Sequence, residues 1–419
     1  MSKINKNYVL FLVFVFTPII SLFTGFIIDE DLSTGGSRWD FNVTWPLVVD
    51  YSNFIFLDAR LDGGSSPRHV PLHYFLLSLI YKIFNSQYLV RLFYLFFSLL
   101  LPLFLYLNLI KIYKGEKLLF LILSFSFVFL PFFRSSAIWP NAHLTSLIFF
   151  TISNYFYLNA LDKNRSLDKI LNLLFLSFAT YSMQTYVIFF AFYLINYLIS
   201  ENKKQFFSLF LFCCVLGIPG LYIITLNEKM VNLPITKDFY YTFVNNFSII
   251  FFFLLFIFFN KSNYKILLNK AQNIKIVEIV ILSLLFIFVV YNLDFQYLTP
   301  NLKGGGFFYK LSHFIFNNNI IFLSSFFLSL FMVFFLIKED FKFIYIIILM
   351  NIMALNYQTY QKYFEPVFLI MIFILFKSTL LNNIFSKFKN VLFFYLIILF
   401  YFFISLINLY YEFSSKMVS

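Results

Sequence analysis

The chain has 419 residues, of which 61% are hydrophobic and only 12% charged, and its mean hydropathy is +0.84. A soluble globule of this length needs a far more charged surface, so that class is excluded. The net charge of +12 would suggest nucleic acid in a soluble protein. Here it reads as orientation charge, because Lys and Arg accumulate in cytoplasmic loops, and no nucleic-acid partner is expected.

Apolar stretches of roughly 17–25 residues recur along the chain, each matched to a hydrocarbon core about 30 Å thick. In lipid, backbone groups must be satisfied within the segment, which leaves helices or a closed barrel. The runs are continuous and do not alternate, which argues against a barrel. The expected fold is all-α: one polytopic integral membrane domain over residues 1–419, with about 11–13 crossings. The 68 phenylalanines read as compositional bias. Cys213 and Cys214 are neighbours in one apolar run and point apart, so no disulfide joins them.

The first apolar run, 8–28, is too long for a secretory h-region and lacks a small-residue cleavage site, so it reads as a retained helix. A polar stretch, 29–83, follows and carries Asp29, Glu30, Asp31, Asp40, Asp50, Asp58 and Asp62. Within it, 71–84 is apolar but short. It is placed as a juxtamembrane helix on the outer face, because a crossing there would invert the charge bias of every later loop. Further spans are expected at 88–110, 117–133, 142–160, 169–184, 186–200, 206–226, 243–260, 275–293, 318–337, 343–356, 364–380 and 391–411. With the N-terminus inside, the cytoplasmic segments and Lys377 hold 19 of the 31 Lys and Arg, and the opposite side holds fewer on longer loops. The other polar outer loops are 134–141, 294–319 and 356–363. No soluble domain, linker or internal repeat is visible.

Polar residues grouped on one face suggest a cavity facing outward. Gly35–Gly36 and Gly63–Gly64 allow turns in the first loop. Asp40 follows the first turn between Trp39 and Phe41, where partial desolvation would raise a carboxylate's pKa and suit it to taking a proton from a hydroxyl. Asp50 and Asp58 are further acids of the same loop, beside Arg38 and Arg68. His69 and His73, four apart, would share a helix face, a spacing that can bind a metal. No third ligand is apparent beyond a loop carboxylate, so a divalent metal is not indicated and no cofactor is assigned. Arg134, Lys303, Lys310 and Lys362 lie at the outer mouths of apolar helices, where cations can neutralise a phosphate. The neighbouring Tyr309, Tyr360 and Tyr363 suit a prenyl chain or a sugar face.

Four stretches carry a family resemblance: the first helix followed by an acidic loop with TGGSRWDF, then RHVPLHYFLLSLIYKIF, PFFRSSAIWPNAHLTSLIFF and YQKYFEPVFLIMIFIL. Together they resemble bacterial members of the GT-C superfamily of membrane glycosyltransferases. GGGFFYKLS is similar to the glucosyltransferase-like members. The resemblance implies a multi-pass protein of the cytoplasmic (inner) membrane with its active site on the extracytoplasmic side. The implied reaction is an inverting transfer from a polyprenyl-phosphate sugar to a lipid-linked or envelope glycan, with a first-loop acid as base. Many members have an adjacent Asp-Glu pair in the first loop. Asp29–Glu30 fits that pair but lies close to the end of the first helix, and Asp40, which fits by its Gly-Gly context, is the expected base. Arg134, Lys303 and Lys362 would surround the phosphate, within surrounding membrane lipids. A polysaccharide polymerase or ligase would carry its main loop late and rich in arginine. A flippase or transporter would show repeats and mid-membrane charges; no repeat is seen, and Glu278, the one acid drawn into a span, sits near a cytoplasmic end.

Overall fold

The computed structural model describes residues 9–33, 36–53, 70–226, 239–258, 272–293, 306–353 and 361–418, with isolated residues between 263 and 269. Every regular element among them is helical, as the sequence predicts. Seven helices are long and apolar enough to cross a membrane, or up to nine if each of two bent pairs makes one span, and four shorter apolar helices accompany them. The chain is thus an all-α membrane protein. It divides into two compact units, Met1–Asn232 with Tyr395–Ser419, and Leu233–Phe394.

In the first unit the helices are α1 (Val9–Ile27), α2 (Gly36–Asn53), α3 (Leu72–Phe84), α4 (Gln87–Ile112), α5 (Lys117–Phe129) and α6 (Pro131–Ile138). They continue with α7 (Ala142–Lys163), α8 (Ser166–Ser182), α9 (Gln184–Ser200) and α10 (Lys203–Leu226). Their ends are set by local chemistry. In α1 a π-helical turn, Leu12–Phe16, precedes Pro18, whose missing N–H would otherwise leave a carbonyl without its donor. Between α3 and α4, Asn85 takes the left-handed conformation and Ser86 caps the next helix from its side chain. Asn141 caps α7 in the same way, and Asn164, again left-handed, turns the chain into α8.

Two single spans expected from hydropathy are broken. The 117–133 run stops at Leu130, because extended backbone is favoured before Pro131, and α6 leaves at 70° to α5. The 364–380 run likewise turns by 98° between Val367–Leu375 and Thr379–Ser386. Hydropathy averages over such turns and cannot see them. The first loop also holds more helix than its polarity suggests. Residues 36–53 form α2, whose buried positions Ser37, Phe41, Val48 and Tyr51 recur at helical spacing.

α7 is the central helix of this unit, and amides join it to its neighbours. Asn154 donates to Asn108 of α4 and accepts from Tyr193 of α9. Asn172 of α8 exchanges bonds with Ser153 and accepts from Tyr197. Such bonds replace the hydrophobic drive that lipid does not supply between helices. α8 and α10 are joined by an inserted hydroxyl. Pro219 breaks the ladder of α10, and Tyr181 of α8 donates to the Leu216 carbonyl at 2.5 Å while accepting from the Gly220 N–H at 2.9 Å. A Cβ on Gly220 would lie 3.3 Å from that hydroxyl, so glycine leaves room for it.

The second unit contains α11 (Phe239–Phe258), α12 (Ile276–Tyr291), α13 (Phe307–Phe316), α14 (Ile320–Glu339), α15 (Phe343–Met353), α16 (Val367–Leu375) and α17 (Thr379–Ser386). α18 (Phe388–Val418) belongs from Tyr395 onward to the first unit. Ser248 and Ser325 join α11 to α14 at 2.6 Å. The Glu339 carboxylate accepts from Ser378 and Thr379 and so caps the turn into α17.

Replacing Tyr181 with Phe removes both bonds at the Pro219 break at a cost of about 1 kcal/mol. Thermal unfolding in detergent is expected to shift down by about 2–4 °C. An unchanged midpoint would show that the inserted hydroxyl contributes nothing.

Candidate functional site

The end of the first unit where α1 stops and α4 and α7 begin holds the buried Glu30, Asp31, Arg91 and Arg134. It is built from the turn that ends α1. Asp29 occupies the left-handed region at φ 53°, the Glu30 N–H bonds back to the Gly25 carbonyl at 2.9 Å, and the Asp29 N–H bonds to the Phe26 carbonyl. This is the pattern of a Schellman helix end. It sends three successive carboxylates in three directions.

Glu30 turns inward. Its two oxygens accept from Arg134 Nε at 2.7 Å and Nη2 at 2.8 Å, and both side chains are at least 97% buried. Arg134, on α6, also donates to the Ser21 hydroxyl and carbonyl of α1. Its other side lies 4.7 Å from the Phe402 ring of α18. A Cβ on Gly25 would fall 2.7 Å from Arg134 Nη2 and 2.8 Å from Glu30 Oε2, so this glycine clears the space the ion pair fills. Asp31 turns along the chain. It accepts from the Ser33 N–H and hydroxyl and from the Arg38 N–H, and so holds the first turn of α2.

Asp29 turns outward. One oxygen accepts from Arg91 Nη2 at 2.6 Å, and the side chain is 50% exposed. Arg91 is anchored through Nε to the Ile138 carbonyl and lies 3.6 Å from the centre of the Trp139 ring. The Trp139 indole donates to the Glu30 carbonyl. The Arg38 guanidinium lies 5.0 Å from the same ring. Trp139 thus carries two cations, Arg91 tied to Asp29 and Arg38 exposed, and among the described residues no carboxylate pairs with the Arg38 side chain.

The other expected residues of this unit are placed as follows. Asp40 lies within α2, half-buried, and does not follow a free turn; Trp39 points out and Phe41 points into the core. Helical geometry separates neighbours by about 100°, so aromatics adjacent in sequence do not enclose it. Asp50, near the end of α2, is exposed. His73 is buried at the start of α3, its Nδ1 2.8 Å from the Thr145 hydroxyl, which Tyr94 also contacts. Arg134 was expected at a lipid-facing mouth; it is instead buried in the Glu30 pair. In the second unit, Tyr309 is buried against His313 and Phe322, while Lys310 is exposed and Tyr363 half-buried. Gly306 serves packing against α11: its N–H donates to Asn245, and a Cβ would meet Ile249 at 2.6 Å. Asp58, Arg68, His69, Lys303 and Tyr360 lie outside the described residues, as does the Lys362 side chain. Among the described residues, no three His, Cys, Asp or Glu side chains come together to hold a metal ion.

Sequence reasoning missed Arg91, Trp139, Ser21 and Gly25. The available signal was an arginine one turn inside an apolar span, since a charge there requires a partner. Compared with family models, with curated proteins and with solved structures, the chain matches none.

Replacing Arg134 with Met leaves the Glu30 carboxylate buried and uncompensated, at about 3–5 kcal/mol. The double change Glu30→Gln with Arg134→Met removes that charge. It is expected to recover most of the yield of folded protein and of the melting temperature in detergent. Equal losses in the single and double variants would refute the pairing.

Proposed function

We propose that the chain is a GT-C-like membrane glycosyltransferase. On this reading it has about 11–13 crossings, and residues 29–83 form an extracytoplasmic loop carrying the juxtamembrane helices α2 and α3. The orientation follows from charge. The end of the first unit opposite Asp29 carries Lys111, Lys117, Lys163, Arg165, Lys203 and Lys204, a basic cluster that supports reading it as the cytoplasmic end in the inner membrane.

The observation that carries the reading is a half-exposed carboxylate paired with Arg91, one of two cations on one indole ring. Asp29 keeps one oxygen on Arg91 and offers the other outward. In an inverting transfer, a carboxylate takes the proton of the acceptor hydroxyl as that oxygen bonds to the anomeric carbon. The bond from that carbon to the phosphate breaks, and its electron pair stays on the lipid-linked phosphate. A cation beside that phosphate stabilises the developing charge. Asp29 fills the role of base that sequence alone assigned to Asp40, oriented by Arg91, and Arg38 joins the phosphate ligands, which sequence alone gave as Arg134, Lys303 and Lys362. Glu30 and Arg134 hold the turn on which Asp29 sits. The adjacent Asp29–Glu30 pair therefore fits the family pattern better than Asp40 does. The donor is a sugar on a polyprenyl phosphate, and the acceptor is a lipid-linked or envelope glycan.

The test is sugar transfer in membranes from a labelled polyprenyl-phosphate sugar. Asp29→Asn is expected to lower the rate by about 10²–10⁴-fold at normal protein level. Arg38→Ala is expected to weaken donor use, and Asp40→Asn to leave most activity. Near-normal transfer by Asp29→Asn discards the assignment. A donor moved across the bilayer but chemically unchanged discards the class of reaction in favour of a transporter.

A further inference from the structure

At the opposite end of the first unit a cavity of about 180 Å³ opens between α8 and α10. Ser166, Gln205 and Ser208 supply polar groups to its wall, Ile170, Leu209 and Phe212 supply an apolar side, and the Lys169 side chain reaches it from within. Lys169 is 96% buried and held on Glu201 at 2.5 Å and on Asn164 at 2.7 Å. The mouth is strongly basic. Exposed basic residues flank its lining in sequence: Lys163 and Arg165 precede Ser166, and Lys203 and Lys204 precede Gln205. Of the nearby acids, Glu201 is spent on Lys169 and Asp162 on Lys111, which leaves Asp168 against four cations.

The cavity's apolar wall is open at Ile170, and the side of α10 turned away from the cavity is bare. α10 exposes Phe207, Phe210, Leu211, Val215 and Ile218 along its length. Only 11% of its most apolar 18-residue window is buried. A phosphate at the mouth and hydrocarbon along the wall of Ile170, Leu209 and Phe212 would satisfy both parts at once. A soluble anion would leave the apolar wall wet, and a neutral lipid would leave the cations unanswered.

We propose that this groove binds one anionic phospholipid of the leaflet on the Lys203 side, with its headgroup phosphate at Ser166, Lys203 and Lys204 and an acyl chain beside Ile170, Leu209 and Phe212. The site is independent of the transferase reading. It lies at the membrane boundary, where basic pockets between helices collect acidic headgroups.

The test uses the purified full-length protein, delipidated and then incubated with equal amounts of phosphatidylglycerol and phosphatidylcholine of the same chains. Bound lipid is counted by native mass spectrometry. The wild type is expected to retain one phosphatidylglycerol in clear preference to phosphatidylcholine. Lys203→Gln with Lys204→Gln, which alters only exposed groups, is expected to lower that preference by about ten-fold. Ser208→Trp, which fills the groove from an exposed position, is expected to abolish it. Equal retention of the two lipids, or unchanged retention in the Lys203 and Lys204 variant, overturns the proposal. Displacement of the lipid by millimolar inorganic phosphate would show a simple anion site and overturn it as well.

Discussion

The ion pair between Glu30 and Arg134 is the contact on which the architecture of the first unit depends. Burying two charges is costly, and the attraction between them offsets that cost only when geometry and extra hydrogen bonds are complete. Here they are. The guanidinium meets both carboxylate oxygens, and two more of its five N–H donors go to Ser21. Gly25 is the residue that makes the fit sterically open. The pair ties the end of α1 to α6, and through the Trp139 indole to the Glu30 carbonyl it also sets the entry to α7. Once that turn is fixed, Asp29 is held outward on Arg91 and Asp31 is held on the start of α2. Three neighbouring acids thus acquire three different tasks from one helix ending.

A second theme is how this chain bends helices inside an apolar environment. Every bend exposes backbone groups that lipid cannot satisfy. At three places among the described residues a nearby polar side chain answers this. Tyr181 stands in for the broken rung at Pro219, and Glu339 caps the sharp turn before Thr379. Asn141 does the same where α7 begins after Trp139 and Pro140. The polar residues scattered through an otherwise apolar sequence are therefore concentrated at breaks and helix contacts, where their absence would leave N–H or C=O groups unpaired.

The helical membrane class was legible from hydropathy alone, because a 20-residue apolar run needs no tertiary information. The breaks at Leu130 and after Leu375 were not, since an average over 17 or more residues hides a turn of two or three. The helix at 36–53 was hidden for a different reason: its apolar face is narrow, and its polar face made the whole stretch read as loop. At the candidate site the acids themselves were visible, but their division of labour was not. Asp29, Glu30 and Asp31 are three adjacent acids in sequence, and the left-handed conformation at Asp29 separates their directions. Arg134 looked like a surface cation because it sits at the end of an apolar run. Its inward turn depends on Glu30, 104 positions away in the chain.

The account stands on the Asp29 turn and α2 facing the extracytoplasmic side while the Lys203 end faces the cytoplasm. Single cysteines at Asn53 and at Asn202, placed in a chain with Cys213 and Cys214 replaced by Ser, would be exposed to a membrane-impermeant maleimide in intact cells and again after permeabilisation. Labelling at position 53 in intact cells, with position 202 labelled only after permeabilisation, is the predicted result. The reverse pattern would place the carboxylates and their arginines on the wrong side of the membrane and contradict the account.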